Sequence, residues 1–264
     1  MLRPALRAGC AAALLAPVTS CASAPRISPD EARAEASFEA SFAASLAATP
    51  AGVSQPTVPA PAATAATQSP RGSLPTGTTV VAIGDSTTGG TALGGVGAAG
   101  WPQLLGAQRH WRVIKETAPR TGYLNGGPTG SATFATHVPA TIALHPALVI
   151  IMGSRNDAGA PAEQITTAAS AMLARLHAGL PGARVVVIGP LAGSAPPAPG
   201  LLTDRDAVQV AARAAGATFI DPIAQGWFAG TSAQLFAADG VHPTDAGHGR
   251  QAALVAADLL RAGI

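Results

Sequence analysis

The sequence predicts a three-layer α/β domain that occupies about the last 190 of its 264 residues. Two observations predict it. Short apolar runs rich in Val and Ile recur along this part of the chain, and the first of them stops at Gly, as a strand covered on both faces does. Segments of helical period separate the runs, and strands that alternate with helices form a parallel sheet with helices on both sides.

The first expected strand is Thr79 to Ile83, TVVAI, which ends at Gly84. Trp111 to Glu116, Ala147 to Met152 (ALVIIM), Arg184 to Ile188 (RVVVI) and Ala217 to Ile220 are the other four. A helix is expected from Pro161 to about Gly179, with Ile165, Ala169, Met172, Leu173 and Leu176 on one face. Another covers Leu201 to Ala215. A last one fits Asp245 to Ala262, with Thr244 as N-cap and Leu254, Ala257 and Leu260 turned inward.

Before this domain the chain changes character. Residues 1–20 read as a signal peptide: Arg3 and Arg7 give a basic start, and Ala8 to Val18 is an apolar run too short to span a bilayer. Val18-Thr19-Ser20-Cys21 resembles the bacterial lipoprotein signal, in which the Cys is lipidated and becomes the first mature residue. Ala22-Ser23-Ala24 offers ordinary cleavage and a secreted protein as the alternative. Cys10 lies inside the removable segment, so the exported protein has no pair of cysteines for a disulfide. Residues 21–76 are a tether. Ser28-Pro29-Asp30-Glu31 has the form of a capping box, and a helix follows to about residue 47 with Phe38, Phe42 and Leu46 in a narrow stripe. From Thr49 to Pro75 the chain is Pro, Ala and Thr with few large apolar residues, the composition of a linker. The folded domain is therefore residues 77–264.

Composition excludes several classes. A formal charge of +2 without any Lys/Arg run gives no field for nucleic acid. HExxH and paired CxxC patterns are missing, and Gly84 to Gly90 lacks the Lys of a phosphate loop, so no metal and no cofactor are expected.

Three separated pieces of chemistry fall at the carboxyl edge of the expected sheet. Ser86 follows the first strand, Gly153-Ser154-Arg155-Asn156-Asp157 follows ALVIIM, and Asp239-Gly240-Val241-His242-Pro243 precedes the last helix. A Ser needs a base to become a nucleophile, and the base needs a third group to fix its tautomer. Asp239 and His242 are close enough in sequence for the carboxylate to reach one ring nitrogen while the other faces Ser86. His110, His137, His145, His177 and His248 lack such a neighbouring Asp and read as surface or capping residues. The elbow pattern GxSxG of α/β-hydrolases is missing around Ser86.

On Gly84-Asp85-Ser86, Asn156-Asp157 and Asp239 to His242, the chain resembles the SGNH or GDSL hydrolases, from about residue 78 to the end. The resemblance implies a five-stranded sheet of flavodoxin-like order, which puts Ser86 and Asn156 at the switch point. It implies a triad of Ser86, His242 and Asp239, and an oxyanion hole made by the Ser86 N–H, the Asn156 side chain and a backbone N–H from the second block. Gly122 is named for that last donor, with Arg120 as the alternative alignment. Two positions depart from the family pattern: Ser154 stands where Gly is usual, and the second block around Ala118 to Tyr123 is ambiguous.

The implied activity is that of an exported serine esterase, lipid-anchored outside the cell or secreted. Its substrates would be glycan O-acyl groups or short-chain lipid esters. Transfer of the acyl group to an alcohol, and a binding lipoprotein that has lost activity, are the alternatives. A monomer is expected. Gly89 to Gly100 and Leu191 to Gly200 border the site as loops, and Trp101 and Trp227 either stack on a sugar, line an acyl pocket or belong to the core.

Overall fold

The computed structural model describes residues 72–264 except Ser194 and Ser232. The signal segment, Cys21, the helix expected at 29–47 and the linker to Pro70 lie outside the described residues. Five parallel strands form one sheet: β1 Thr79–Gly84, β2 Arg112–Thr117, β3 Leu148–Met152, β4 Arg184–Ile188 and β5 Thr218–Ile220. Their order across the sheet is β2-β1-β3-β4-β5, the flavodoxin-like order. The helices are α1 Ser86–Gly89, α2 Trp101–Arg109, α3 Val138–Ala143, α4 Ala162–Gly179, α5 Pro199–Ala214 and α6 Asp245–Arg261.

Alternation along the strands divides the core into two layers. Val80, Ala82, Leu148, Ile150, Met152, Val186 and Ile188 pack with Trp101 and Leu105 of α2 and Ala252, Val255 and Leu259 of α6. Val81, Ile83, Val149, Ile151, Val185 and Val187 face the other way, onto α4 and α5. The β3 residues are fully buried on both faces. Burying a Val, Leu or Ile side chain contributes about 1.5–3 kcal/mol. The central strands β1 and β3 are thus firmly held, and Ser86 and Asn156 follow them.

Two expectations about helices are corrected. The inward stripe of α6 is Ala252, Val255, Ala256 and Leu259, while Leu260 is 66 % exposed and Ala257 is exposed. The expected stripe advanced three residues at a time and drifted off a face that repeats every 3.6. Helix α2 was not expected, because its apolar pattern is broken by Gly106. A side chain there would press on Val113, so the Gly lets α2 lie close against β2. Trp101 and Trp227 are both core residues, 0 % and 2 % exposed.

Candidate active site

Gly84 closes β1, and Asp85 turns the chain into α1. The Asp85 side chain accepts from the Thr87 N–H at 2.8 Å and from its hydroxyl at 2.7 Å, which caps the short helix. Ser86 is thereby the first residue of α1, where an N–H has no intrahelical partner. Strands β1 and β3 are neighbours, with Gly84 opposite Met152, so the segment after β3 arrives beside Ser86.

His242 comes from the loop before α6. Its carbonyl accepts from the Ala237 N–H at 2.9 Å, and Thr244 caps α6 by accepting from the Gly247 N–H at 3.2 Å. The ring Nε2 lies 3.0 Å from Ser86 Oγ, and Nδ1 lies 2.8 Å from Asp239 Oδ2. The other Asp239 oxygen accepts from the N–H groups of Val241 and His242, at 2.9 and 3.0 Å. Burial acts to raise the Asp239 pKa, but the hydrogen bonds from the His242 ring and these two N–H groups outweigh it and hold the carboxyl down at about 2. Asp239 is therefore ionised whenever His242 would need a counter-charge. Ser86 is 9 % and His242 4 % exposed, so the pair is shielded from bulk water.

On the other side of Ser86, residues Arg155–Asp157 form one 3-10 turn. Ser154, in place of the family's usual Gly, caps it: the hydroxyl accepts from the Asn156 N–H at 2.9 Å and donates to the Thr121 carbonyl at 2.9 Å. Asn156 is 8 % exposed, and its amide donates to Asp85 Oδ2 at 3.1 Å and to the Thr121 carbonyl at 2.9 Å. Asp157 accepts the N–H groups of Tyr123, Leu124 and Asn125 at 2.6, 3.1 and 2.8 Å, tying the loop after β2 to the loop after β3. Burial raises the pKa values of Asp85 and Asp157 against these hydrogen bonds.

The Gly122 N–H donates to the Asn125 carbonyl at 2.9 Å, and the position holds a Gly for a steric reason: an added Cβ would run into the Asp157 carboxylate. Arg120 takes φ 58, the left-handed conformation that Gly enters most easily. His248 is corrected as a surface residue, while its contact with the first N–H of α2 is a capping one. It is 1 % exposed, and its Nδ1 accepts from the Trp101 N–H at 3.3 Å, while its ring leaves room for only a Gly at position 95. Burial pushes its pKa down to about 4, although Asp245 acts to raise it and Lys115 and His242 lower it further. Beside Ser86 lies a pocket of about 230 Å³ lined by Gly89, Gly90, Thr91, Ala118 and Pro119. Among the described residues, no group of three or more His, Cys, Asp or Glu is placed to hold a metal ion.

Residues 82–250 match the GDSL-like lipase/acylhydrolase family. The chain belongs to this family. This GDSL hydrolase is an enzyme acting on ester bonds, with the SGNH fold. It is 40% identical over 180 residues to the GDSL lipase Rv0518 of Mycobacterium tuberculosis, covering 64% of this chain and 76% of that one. In fold it is similar to TesA, with a TM-score of 0.57 and 23% identity over 70% of this chain and 99% of that one. The inhibitor-bound aryl esterase of M. smegmatis gives 0.54 and 20% over 71% and 100%.

Asp85, Ser154 and Asp157 were not singled out for the site's hydrogen bonds. Asp85 and Ser154 each sit just past a strand end and just before a short turn, which is the signal that finds capping side chains.

Proposed function

We propose that this GDSL hydrolase is an exported serine esterase that works through an acyl-enzyme on Ser86. The observation that carries the reading is the continuous chain from Ser86 Oγ to His242 Nε2 at 3.0 Å and from Nδ1 to Asp239 at 2.8 Å. His242 takes the Ser86 proton as Oγ attacks the ester carbonyl. It returns that proton to the leaving alcohol, then activates water to release the acid. Asp239 holds the tautomer with Nδ1 protonated and balances the imidazolium as it forms.

The oxyanion is stabilised by the Ser86 N–H, by the Asn156 amide, and by the N–H of Arg120 in the second block. The left-handed Arg120 stands in for the family's Gly and supports that choice over Gly122. The Asn156 amide reaches the oxyanion by giving up one of its two resting acceptors, Asp85 or Thr121. The pocket beside Ser86 is smaller than the roughly 300–1,000 Å³ of sites for drug-sized ligands, so short acyl groups, on glycan hydroxyls or on small alcohols, are the substrates it favours. The Val18 to Cys21 signal supports anchoring of the mature protein through lipid on Cys21. A native protein whose N-terminal sequence starts at Pro25 would refute the anchor.

A panel of p-nitrophenyl esters of increasing chain length tests the function. The reading expects kcat/KM to be highest for the shortest acyl groups and to vanish in Ser86→Ala. Equal turnover of long and short chains would overturn the size argument.

A further inference from the structure

A second pocket, of about 200 Å³, shares no lining residue with the Ser86 pocket. Arg155, Ala192, Pro196, Ala198, Leu201 and Gly240 line it. Arg155 is the neighbour of Asn156 in sequence, and Gly240 the neighbour of Asp239, so the pocket adjoins the reacting centre. Apart from Arg155, the residues just named are small or apolar.

The charge of Arg155 is not balanced by a protein ion pair. Among the described residues the ion pairs join His137 to Glu116, Arg205 to Asp206 and Asp221, His242 to Asp239, and Arg261 to Asp258. None uses Arg155, and its Nε–H is buried with no acceptor. The hydrogen bonds of the nearby carboxylates go elsewhere: Asp239 bonds His242, and Asp85 bonds Thr87 and Asn156 and meets Arg155 only as a charge, a minor effect on it beside burial. Asp204 lies one turn beyond Leu201, and burial, with the charges of Asp157 and Asp85, raises its pKa well above the ordinary carboxylate value. Helix α5 begins at the same pocket, with Ala198 as an N-cap that offers no side-chain acceptor and no acidic residue in the first turn. Its positive end adds to the field of the guanidinium. A buried guanidinium N–H without an acceptor, in a mostly apolar pocket, costs stability unless an anion completes it.

We propose that this pocket is an anion subsite, in which Arg155 receives a carboxylate carried by the ester substrate a few bonds from the scissile carbonyl. The planar guanidinium matches a carboxylate with two parallel hydrogen bonds, which a neutral isostere cannot form. The inference rests on the triad reading given above, and it makes Arg155 a determinant of specificity. The carboxylate belongs to either the acyl or the alcohol part of the ester, and two pairs of substrates distinguish these.

The experiment compares mono-p-nitrophenyl glutarate with p-nitrophenyl pentanoate for the acyl side, and 3-acetoxybenzoate with 3-tolyl acetate for the alcohol side. For each pair the ratio of kcat/KM, anionic over neutral, is measured in the native protein, Arg155→Met and Arg155→Lys. Because both members are read on one preparation, the ratio does not depend on the fraction folded. In one pair the ratio should fall roughly 10- to 100-fold in Arg155→Met, the size of a charged hydrogen-bonded contact, and fall less in Arg155→Lys. Ratios unchanged by Arg155→Met in both pairs would overturn the subsite while leaving the triad intact. If the native protein cleaves none of the four esters faster than Ser86→Ala does, the triad reading fails and the subsite falls with it.

Discussion

The Asp157 carboxylate occupies the space that a side chain on Gly122 would need. From there it gathers three successive N–H groups, those of Tyr123, Leu124 and Asn125. Gly122→Ala must therefore displace the carboxylate or its loop, and overpacking of this kind costs about 1–3 kcal/mol. A domain of this size loses roughly 2–4 °C per kcal/mol, so a melting temperature lower by about 2–12 °C is expected. Calorimetry on the variant checks it, and an unchanged transition would mean that the loop yields freely.

Asn156 has both a structural and a chemical assignment. Its resting bonds to Asp85 and Thr121 predict some loss of stability in Asn156→Ala, and its proposed part in the oxyanion hole predicts loss of turnover. By comparison with one side-chain donor removed from an unrelated serine protease, kcat should fall about 10²- to 10³-fold with little change in KM. Kinetics normalised to folded protein separate the two effects. Parental turnover per folded molecule would take Asn156 out of the mechanism.

The acid limb of activity should belong to His242 alone. The Asp239 carboxyl, held at about 2, is ionised across the working range, so kcat/KM should rise once with pH as the imidazolium loses its proton. Asp239→Asn keeps the shape but favours the wrong tautomer, and by analogy with the same change in a protease triad kcat should drop on the order of 10⁴-fold. A second acid ionisation in the native profile would contradict the assignment. Asp239 also contributes stability that is present above its ordinary range near 3.9 and lost as pH falls towards 2.

His248 predicts a separate loss of stability as pH falls, one that begins at a higher pH than that of Asp239. Its folded-state pKa of about 4 lies below the ordinary 6.5, so the unfolded chain takes up a proton that the folded domain refuses. Stability from this group is complete above about 6.5 and is lost as pH falls towards 4, by on the order of 3 kcal/mol. Asp85, Asp157 and Asp204, whose pKa values burial raises, act in the opposite sense. The measurement is therefore the difference between native and His248→Gln melting temperatures against pH. That difference should shrink as the pH drops from 7 to 4.5.

The strands were legible because Val and Ile concentrate where both faces of a strand are covered, and each expected strand lies within one residue of its observed bounds. The contact of Ser86 with His242 and of His242 with Asp239 was legible because a Ser stands just past a strand end and an Asp stands three residues before a His just ahead of the last helix. Helix α2 was hidden by Gly106, whose reason is the approach of Val113 from another element. The burial of His248 is of the same kind, since its partners Gly95 and Trp101 come from the distant loop after α1 and from the start of α2. A backbone donor leaves even less trace. Whether the N–H of Gly122 is spent depends on where the Asn125 carbonyl lies, and the bond between them involves no side chain.

The nucleophile is the central claim, and covalent labelling tests it most directly. A fluorophosphonate probe should modify the native protein at a single site, assigned by peptide mass spectrometry to Ser86, whose Oγ lies 3.0 Å from His242 Nε2. Labelling should disappear in Ser86→Ala together with esterase activity. Full labelling of Ser86→Ala, or a modified peptide that does not contain Ser86, would contradict the account.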